Sequence, residues 1–411
     1  MTPFLQFTIA LVIIISAAKL AGYLSYRIGQ PSVLGELLVG IVLGPSVLNI
    51  LHWPYFTDMH LEESIKHLAE LGVLLLMFMA GLDLHLSDLA RSGRVAAGAG
   101  VLGVVVPLLM GAGTGLLFDF DLQSALFIGL VLAATSVSIS AQTLMELKVL
   151  RSRVGVAMLG AAVFDDILVV LGLSVFIALI QTGSQGGLIA VLTIILRMVL
   201  YLGAAILLGI WLLPKLSTWI DKLPISQGLV AFAFVAALLY AWSAESLGSM
   251  AAITGAFLAG LLLGRSRVKE RIESGISTIA YSVFVPIFFV NVGLSADARQ
   301  LTAQTLWLLT AMAVVAVISK VIGAGLGAQL GGFTRQEALQ LGVGMMSRGE
   351  VGLIVASVGI LEGLIEQEAF AVIVGVVIIT TLLTPPALRV LISRDRKNQS
   401  GDIEAVIGER S

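Results

Sequence analysis

The sequence predicts an all-α polytopic membrane protein of about thirteen transmembrane helices, including two inverted helix trios whose middle helices are discontinuous and cross. Three observations predict it. Hydrophobic residues make up 58% of the 411 and charged residues only 12%, with a mean hydropathy of +1.03, a balance that a water-soluble domain does not have. Apolar stretches of about 20 residues, the length a helix needs to cross a bilayer, recur from one end of the chain to the other. Lysine and arginine gather in alternate loops.

Taken in order, the spans read as 4–24, 31–51, 66–84, 94–118, 122–146, 152–181, 187–213, 226–244, 248–264, 277–295, 304–330, 336–362 and 368–392. The first lacks the basic n-region of a signal peptide and is long enough to span, so it reads as a true helix. The eighth and ninth are separated only by Glu245 and a few small residues. The fifth and twelfth carry polar interruptions, Ala133-ATSVSIS-Ala141 and Gly344-MMSRGEVG-Leu353. Residues 393–411, polar and charged, read as a short disordered cytoplasmic tail.

Basic residues fix the expected orientation. Loops and tail following odd-numbered spans, counted with the span ends that adjoin them, hold 18 Lys and Arg; those following even-numbered spans hold two, Lys66 and Arg299. Positive loops stay in the cytoplasm, which places the N-terminus outside and the C-terminus inside a multi-pass protein of the cell (inner) membrane. A net charge of −2 argues against nucleic acid as a partner. The absence of cysteine excludes disulfides and thiolate metal sites. His52, His60, His67 and His85 lie near span ends or in loops and form no metal cluster, and no cofactor is expected.

Spans 4–6 and 11–13 share a layout, each with its middle member interrupted. Seven crossings separate them, so the second trio (304–392) is inverted relative to the first (94–181). Inverted trios with broken helices belong to secondary transporters, and free backbone at a break is tolerated where polar groups or a cavity meet it. Thr135, Ser136, Ser138 and Ser140 supply hydroxyls at one break; Ser347, Arg348 and Glu350 supply polar groups at the other. Arg348 and Glu350 read as neutralising helix-dipole ends and each other.

Asp165 and Asp166 stand side by side inside the apolar sixth span. Each charge at membrane depth costs roughly 2.5–3.5 kcal/mol, so something within the membrane must bind them, and protons or small cations are the natural candidates. Adjacent residues on a helix point about 100° apart. One carboxylate can face a cavity while the other turns toward a counter-ion, for which Lys320, deep in span 11, is the obvious choice. Lys19 and Arg197 can snorkel outward. Glu36, near the cytoplasmic end of span 2, suits either a helix N-terminus or an ion entrance. A carboxylate cannot hold a proton and a cation on the same lone pairs, so alternating exposure of the loaded site would couple the two flows. Oxygen ligands suit a hard monovalent cation. An intramembrane aspartyl protease would need its two acids on separate helices, and no selectivity-filter loop supports a channel; the chain reads as a carrier and not an enzyme.

These features resemble the monovalent cation:proton antiporters, the second family of that superfamily and its Asp-Asp branch. The resemblance runs over Gly29-QPSVLGELLVGIVLGPS-Val47, Leu74-LLMFMAGLDL-His85, the two interrupted spans, Phe164-DD-Ile167, Gly255-AFLAGLLLG-Arg265, Pro286-IFFVNVGL-Ser295 and Lys320. It implies the NhaA-like antiporter fold, with a core of two inverted trios that moves against a dimerisation scaffold, and a homodimer in the lipid bilayer. It implies Asp166 as the cation and proton carboxylate, Asp165 in an ion pair with Lys320, and Thr135 and Ser136 beside them. It also implies electrogenic exchange of Na+ or Li+ for protons. A K+/H+ antiporter is the alternative.

Overall fold

Apolar stretches close their backbone hydrogen bonds within themselves, as a bilayer demands, and their ends and glycines decide how they assemble. In the computed structural model, residues 1–28, 30–84, 92–182, 187–295, 299, 303–361 and 363–408 are described, with only the backbone at some positions, Glu350 and 394–408 among them. His85, Arg91 and Arg410 lie outside the described residues.

Among the described residues the chain is helical, and its helices fall on the thirteen predicted spans. They are α1 (Pro3–Arg27), α2 (Ser32–Leu43), α3 (Leu61–Asp83), α4 (Gly93–Leu117), α5a (Leu122–Ala133), α5b (Val137–Glu146), α6 (Arg153–Thr182) and α7 (Gly187–Ile220). Next come α8 (Gly228–Ser246), α9 (Ala252–Leu263), α10 (Lys269–Leu294), α11 (Ala303–Leu330), α12a (Arg335–Gly344), α12b (Glu350–Leu361) and α13 (Gln367–Gly408). Spans 5 and 12 are thus each two half-helices. Both first halves begin on a strong cap. Asp121 accepts from the amides of Gln123 (2.9 Å) and Ser124 (3.2 Å), and Thr334 and Glu337 form a reciprocal capping box.

Four helices extend five residues or more beyond their predicted ends, α7 among them, which runs on to Ile220, all for one reason: hydropathy sees only the hydrocarbon-facing part of a helix. α3 starts at Leu61, with Glu62 and Glu63 in its first turn, where the helix dipole favours acids. α10 starts at Lys269 on an amphipathic stretch. α13 continues to Gly408, so the backbone of 393–408 is helical where the composition predicted disorder. Nucleation is the costly step of helix formation, and the apolar part of α13 has already made it.

A proline marks one local departure. Pro286 has no amide hydrogen and crowds the preceding turn, and just before it Ala280–Phe284 widens into a π turn. Lys19, expected to snorkel, instead donates to the Tyr281 carbonyl of that turn at 2.6 Å. Arg197 reaches the end of α8, meeting the Ser246 carbonyl at 3.3 Å.

Glycines divide the helices into two groups. A β-carbon on Gly81 of α3 would collide with the Phe257 carbonyl of α9, and one on Gly260 of α9 with the Phe78 carbonyl of α3. Gly98 of α4 and Gly327 of α11 stand in the same relation. Across the described glycines, every close approach of this kind stays within 3–294 less the segment 93–182, or within 93–182 plus 303–393; none joins the two. The groups meet chiefly where α2 and α3 touch α5b, where α2 touches α13, and where α6 passes to α7.

Candidate functional site

The two breaks cross and hold each other. The Ser136 amide donates to the Ser347 carbonyl at 2.9 Å, the Ser347 hydroxyl donates to the Ser136 carbonyl at 2.7 Å, and the Ser140 hydroxyl donates to the Gly344 carbonyl. Ser138 pairs with Ser136 at 3.0 Å. Gly349 lies against Ser136 so closely that no side chain fits there. Two threonines of α13 secure the second break: Thr380 accepts from the Arg348 amide at 3.1 Å, and Thr381 donates to the Arg348 carbonyl at 2.6 Å.

Lys320 is fully buried, and each of its three ammonium hydrogens has a reason to be there. Pro107 of α4 offers no amide hydrogen to the carbonyl four residues earlier, and that carbonyl, Gly103, accepts from Lys320 at 2.6 Å. Ala133 ends α5a, where a carbonyl has no helical partner; it accepts at 2.8 Å. The third bond goes to Asp165 Oδ1 at 2.6 Å, and both side chains of this ion pair have no exposure. Asp165 Oδ2 is buried without a hydrogen-bond partner among the described residues.

Arg348 does the equivalent work in the second trio. Its guanidinium donates to the Met345 and Met346 carbonyls at the end of α12a, at 3.3 and 3.2 Å, and to Ala316 of α11 at 2.9 Å. It therefore neutralises the negative end of that half-helix. Ala316 and Met346 each lie 213 residues beyond Gly103 and Ala133, the carbonyls served by Lys320. Gly349 lies the same distance beyond Ser136, its contact across the crossing. The internal repeat is thus visible in individual atoms. The Glu350 side chain lies outside what is described.

Asp166 turns away from this cluster, as one helical step requires. Its Oδ2 accepts from the Thr254 hydroxyl of α9 at 3.2 Å, and it lines a cavity of about 10 Å³, room for about one water. The rest of the lining is apolar apart from Thr254, with Met77 of α3 and Val137 of α5b among it. Thr135, in the break before Val137, is buried, and its hydroxyl has no hydrogen-bond partner among the described residues.

A much larger cavity, about 940 Å³, opens at one face of the molecule between the ends of α2, α3 and α10 on one side and α12b and α13 on the other. His52, Glu62, Glu63, Lys66 and Glu70 line it, and His60 and His67 pair with those glutamates. Its inner wall includes Val73, one turn of α3 from Met77 of the small cavity. At the opposite face the two helix groups are bridged. Glu146 of α5b accepts from the Ser32 amide and hydroxyl of α2 at 2.8 and 2.6 Å, Arg151 pairs with Asp83, and Tyr281 donates to the Met145 sulfur at 3.7 Å. Glu36 is buried one turn into α2, with Lys19 and Glu146 acting on it electrostatically.

Sequence reasoning singled out the aspartates, Lys320 and the break residues. It missed Thr254, Glu146, Pro107 and the Thr380–Thr381 pair. A usable signal existed for Pro107, a proline inside an apolar span, and for Thr254, a polar residue just past the short gap between spans 8 and 9.

Comparison with known proteins agrees with this architecture. The family profile described as sodium/hydrogen exchanger, transmembrane, matches residues 12–393. The Na(+)/H(+)-K(+) antiporter GerN of Bacillus cereus is 40% identical over 93% of this chain and 96% of its own length. A Na(+)/H(+) antiporter of Enterococcus hirae is 35% identical over 94% and 98%. Among solved structures, the sodium proton antiporter MjNhaP1 of Methanocaldococcus jannaschii superposes with a TM-score of 0.72 at 15% identity, over 96% of this chain and 97% of that one, a likeness of fold. With a profile matched across nearly all of its helices and relatives matched end to end, the chain belongs to the transmembrane sodium/hydrogen exchanger family and is a cation/proton antiporter.

Proposed function

We propose that the chain exchanges Na+ or Li+ for protons across the cell membrane, with Asp166 as the carboxylate for which the two ions compete. One observation carries the reading. Of two neighbouring buried carboxylates, one is locked to Lys320 and the other faces a cavity where two groups of helices meet. A carboxylate in that position can exchange its ion when the groups shift, while its neighbour keeps the core neutral. The Thr135 hydroxyl and Asp165 Oδ2 are buried polar atoms without hydrogen-bond partners among the described residues, and such atoms are rare unless something else satisfies them. A proton or a hard cation fits both. With the Asp165–Lys320 pair broken and remade beside Asp166, the cycle has two proton-bearing positions for one cation, and exchange is electrogenic.

Residues 94–181 and 304–392 form the moving core in this reading, and the remaining helices form the scaffold through which two copies associate as a homodimer. The segregation of glycine contacts supports two rigid bodies. The excess of positive charge in alternate loops supports an outside N-terminus and a cytoplasmic C-terminus, so that the large cavity opens outward and Ser32–Glu146 closes the cytoplasmic side.

The direct test is proteoliposomes holding a pH dye, with Na+, Li+ and K+ added in turn under an imposed proton gradient. Proton movement driven by Na+ or Li+ is the expected result; movement driven by K+ alone would overturn the choice of cation. Because the chain has no cysteine, the closed face can be tested as well. Ser32→Cys with Glu146→Cys, joined by a short thiol cross-linker, should stop exchange and regain it on reduction. Undiminished exchange in the cross-linked protein would mean that this contact does not separate during transport.

A further inference from the structure

We propose that Thr254 is a further cation-contacting residue of this site and sets its preference among monovalent cations. The proposal rests on the reading of Asp166 as the exchange carboxylate. Thr254 and Asp166 are the two polar side chains lining the small cavity, and they come from the two different helix groups. Thr254 is buried and sits in the first turn of α9, whose cap residue, Ala251, makes no side-chain hydrogen bond to that end. A helix N-terminus favours an anion, so α9 presents both a positive end and a hydroxyl to the carboxylate.

The hydroxyl has one hydrogen and two lone pairs and rotates about its C–O bond. It donates to the bare carboxylate at 3.2 Å. With a cation beside Asp166 it turns, its hydrogen points away, and a lone pair faces the ion. Threonine oxygen is a hard ligand, suited to an alkali cation. The space is about 10 Å³, enough for one water-sized body. A small cation reaches both oxygens within it, whereas K+, with longer bonds and more ligands to satisfy, has to displace Met77 or Val137. Thr254 therefore strengthens Na+ and Li+ more than K+.

The variant Thr254→Val keeps the shape and removes the oxygen. In proteoliposomes the apparent KM for Na+ and Li+ should rise about tenfold with the maximal rate retained, the KM for K+ should change less, and Thr254→Ser should restore the wild-type values. A residue that only packs would lower the rate and the melting temperature without altering the ratio of KM values. Cation-induced thermal stabilisation of the detergent-purified protein gives a second readout that does not need turnover: the Na+ concentration for half-maximal stabilisation should rise by the same factor. Should Thr254→Val not assemble, Thr254→Ala carries the same two measurements. Unchanged KM values and unchanged stabilisation by Na+, with Asp166→Asn inactive, would overturn the role of Thr254 alone. Normal exchange by Asp166→Asn would overturn the reading beneath it.

Discussion

Asp166→Asn, reconstituted under an imposed proton gradient, should show no cation-driven proton movement while remaining folded. The amide has the shape of the carboxylate and keeps an oxygen able to accept from Thr254, so the contact between α6 and α9 survives. What disappears is the charge. Two unit charges about 4 Å apart interact by roughly 4 kcal/mol at the effective dielectric of a protein site, on the order of a thousandfold in affinity for the cation. The amide also takes up no proton in the relevant range, so both halves of the exchange fail together. Stability should hold or improve, because a buried charge has gone. Normal transport by this variant would remove Asp166 from the site.

Lys320→Ala should be the most destabilising single substitution in the core. The ammonium satisfies Asp165, the proline-freed carbonyl of Gly103 and the helix-end carbonyl of Ala133 at once. Removing one partner of a buried ion pair costs about 3–5 kcal/mol, mostly because the other charge is stranded. The double variant Asp165→Ala with Lys320→Ala should recover part of that loss, since no charge is left behind; the two carbonyls still lack a donor, so recovery is incomplete. Melting of the purified protein measures both. A single variant that melts with the parent, or a double variant no better than the single, would show that the pair contributes little to holding the core.

The helix count, the inverted trios and the two breaks could be read from the sequence because each is a property of a local stretch: an apolar run, a polar gap within it, or a charge where none belongs. Asp165, Asp166 and Lys320 were visible for that last reason. What stayed hidden acts over distance. Thr254 matters through a partner 88 residues away and Ser32 through one 114 residues away; the local sequence marks Thr254 as a polar residue at the start of an apolar run, but neither neighbourhood names the partner. Pro107 was legible as a proline in a helix, yet its consequence, a carbonyl left for Lys320, depends on how α4 packs against α11. The extended starts of α3 and α10 and the helical end of α13 escaped because polar turns outside the hydrocarbon carry no hydropathy signal.

The constant spacing of 213 residues between matching atoms of the two trios also identifies what is not repeated. At that spacing Lys320 corresponds to Pro107, and Asp165 and Asp166 correspond to Ile378 and Ile379. The backbone is duplicated, and the ionisable groups exist in one copy. An inverted duplicate lets either half take the shape of the other, which makes the inward- and outward-facing arrangements near-degenerate by architecture. A carrier poised in this way has no preferred direction of its own. The ion gradients, together with the membrane potential that an electrogenic exchange feels, decide which way it runs, and reversing them should reverse the flux through the same protein at a comparable rate.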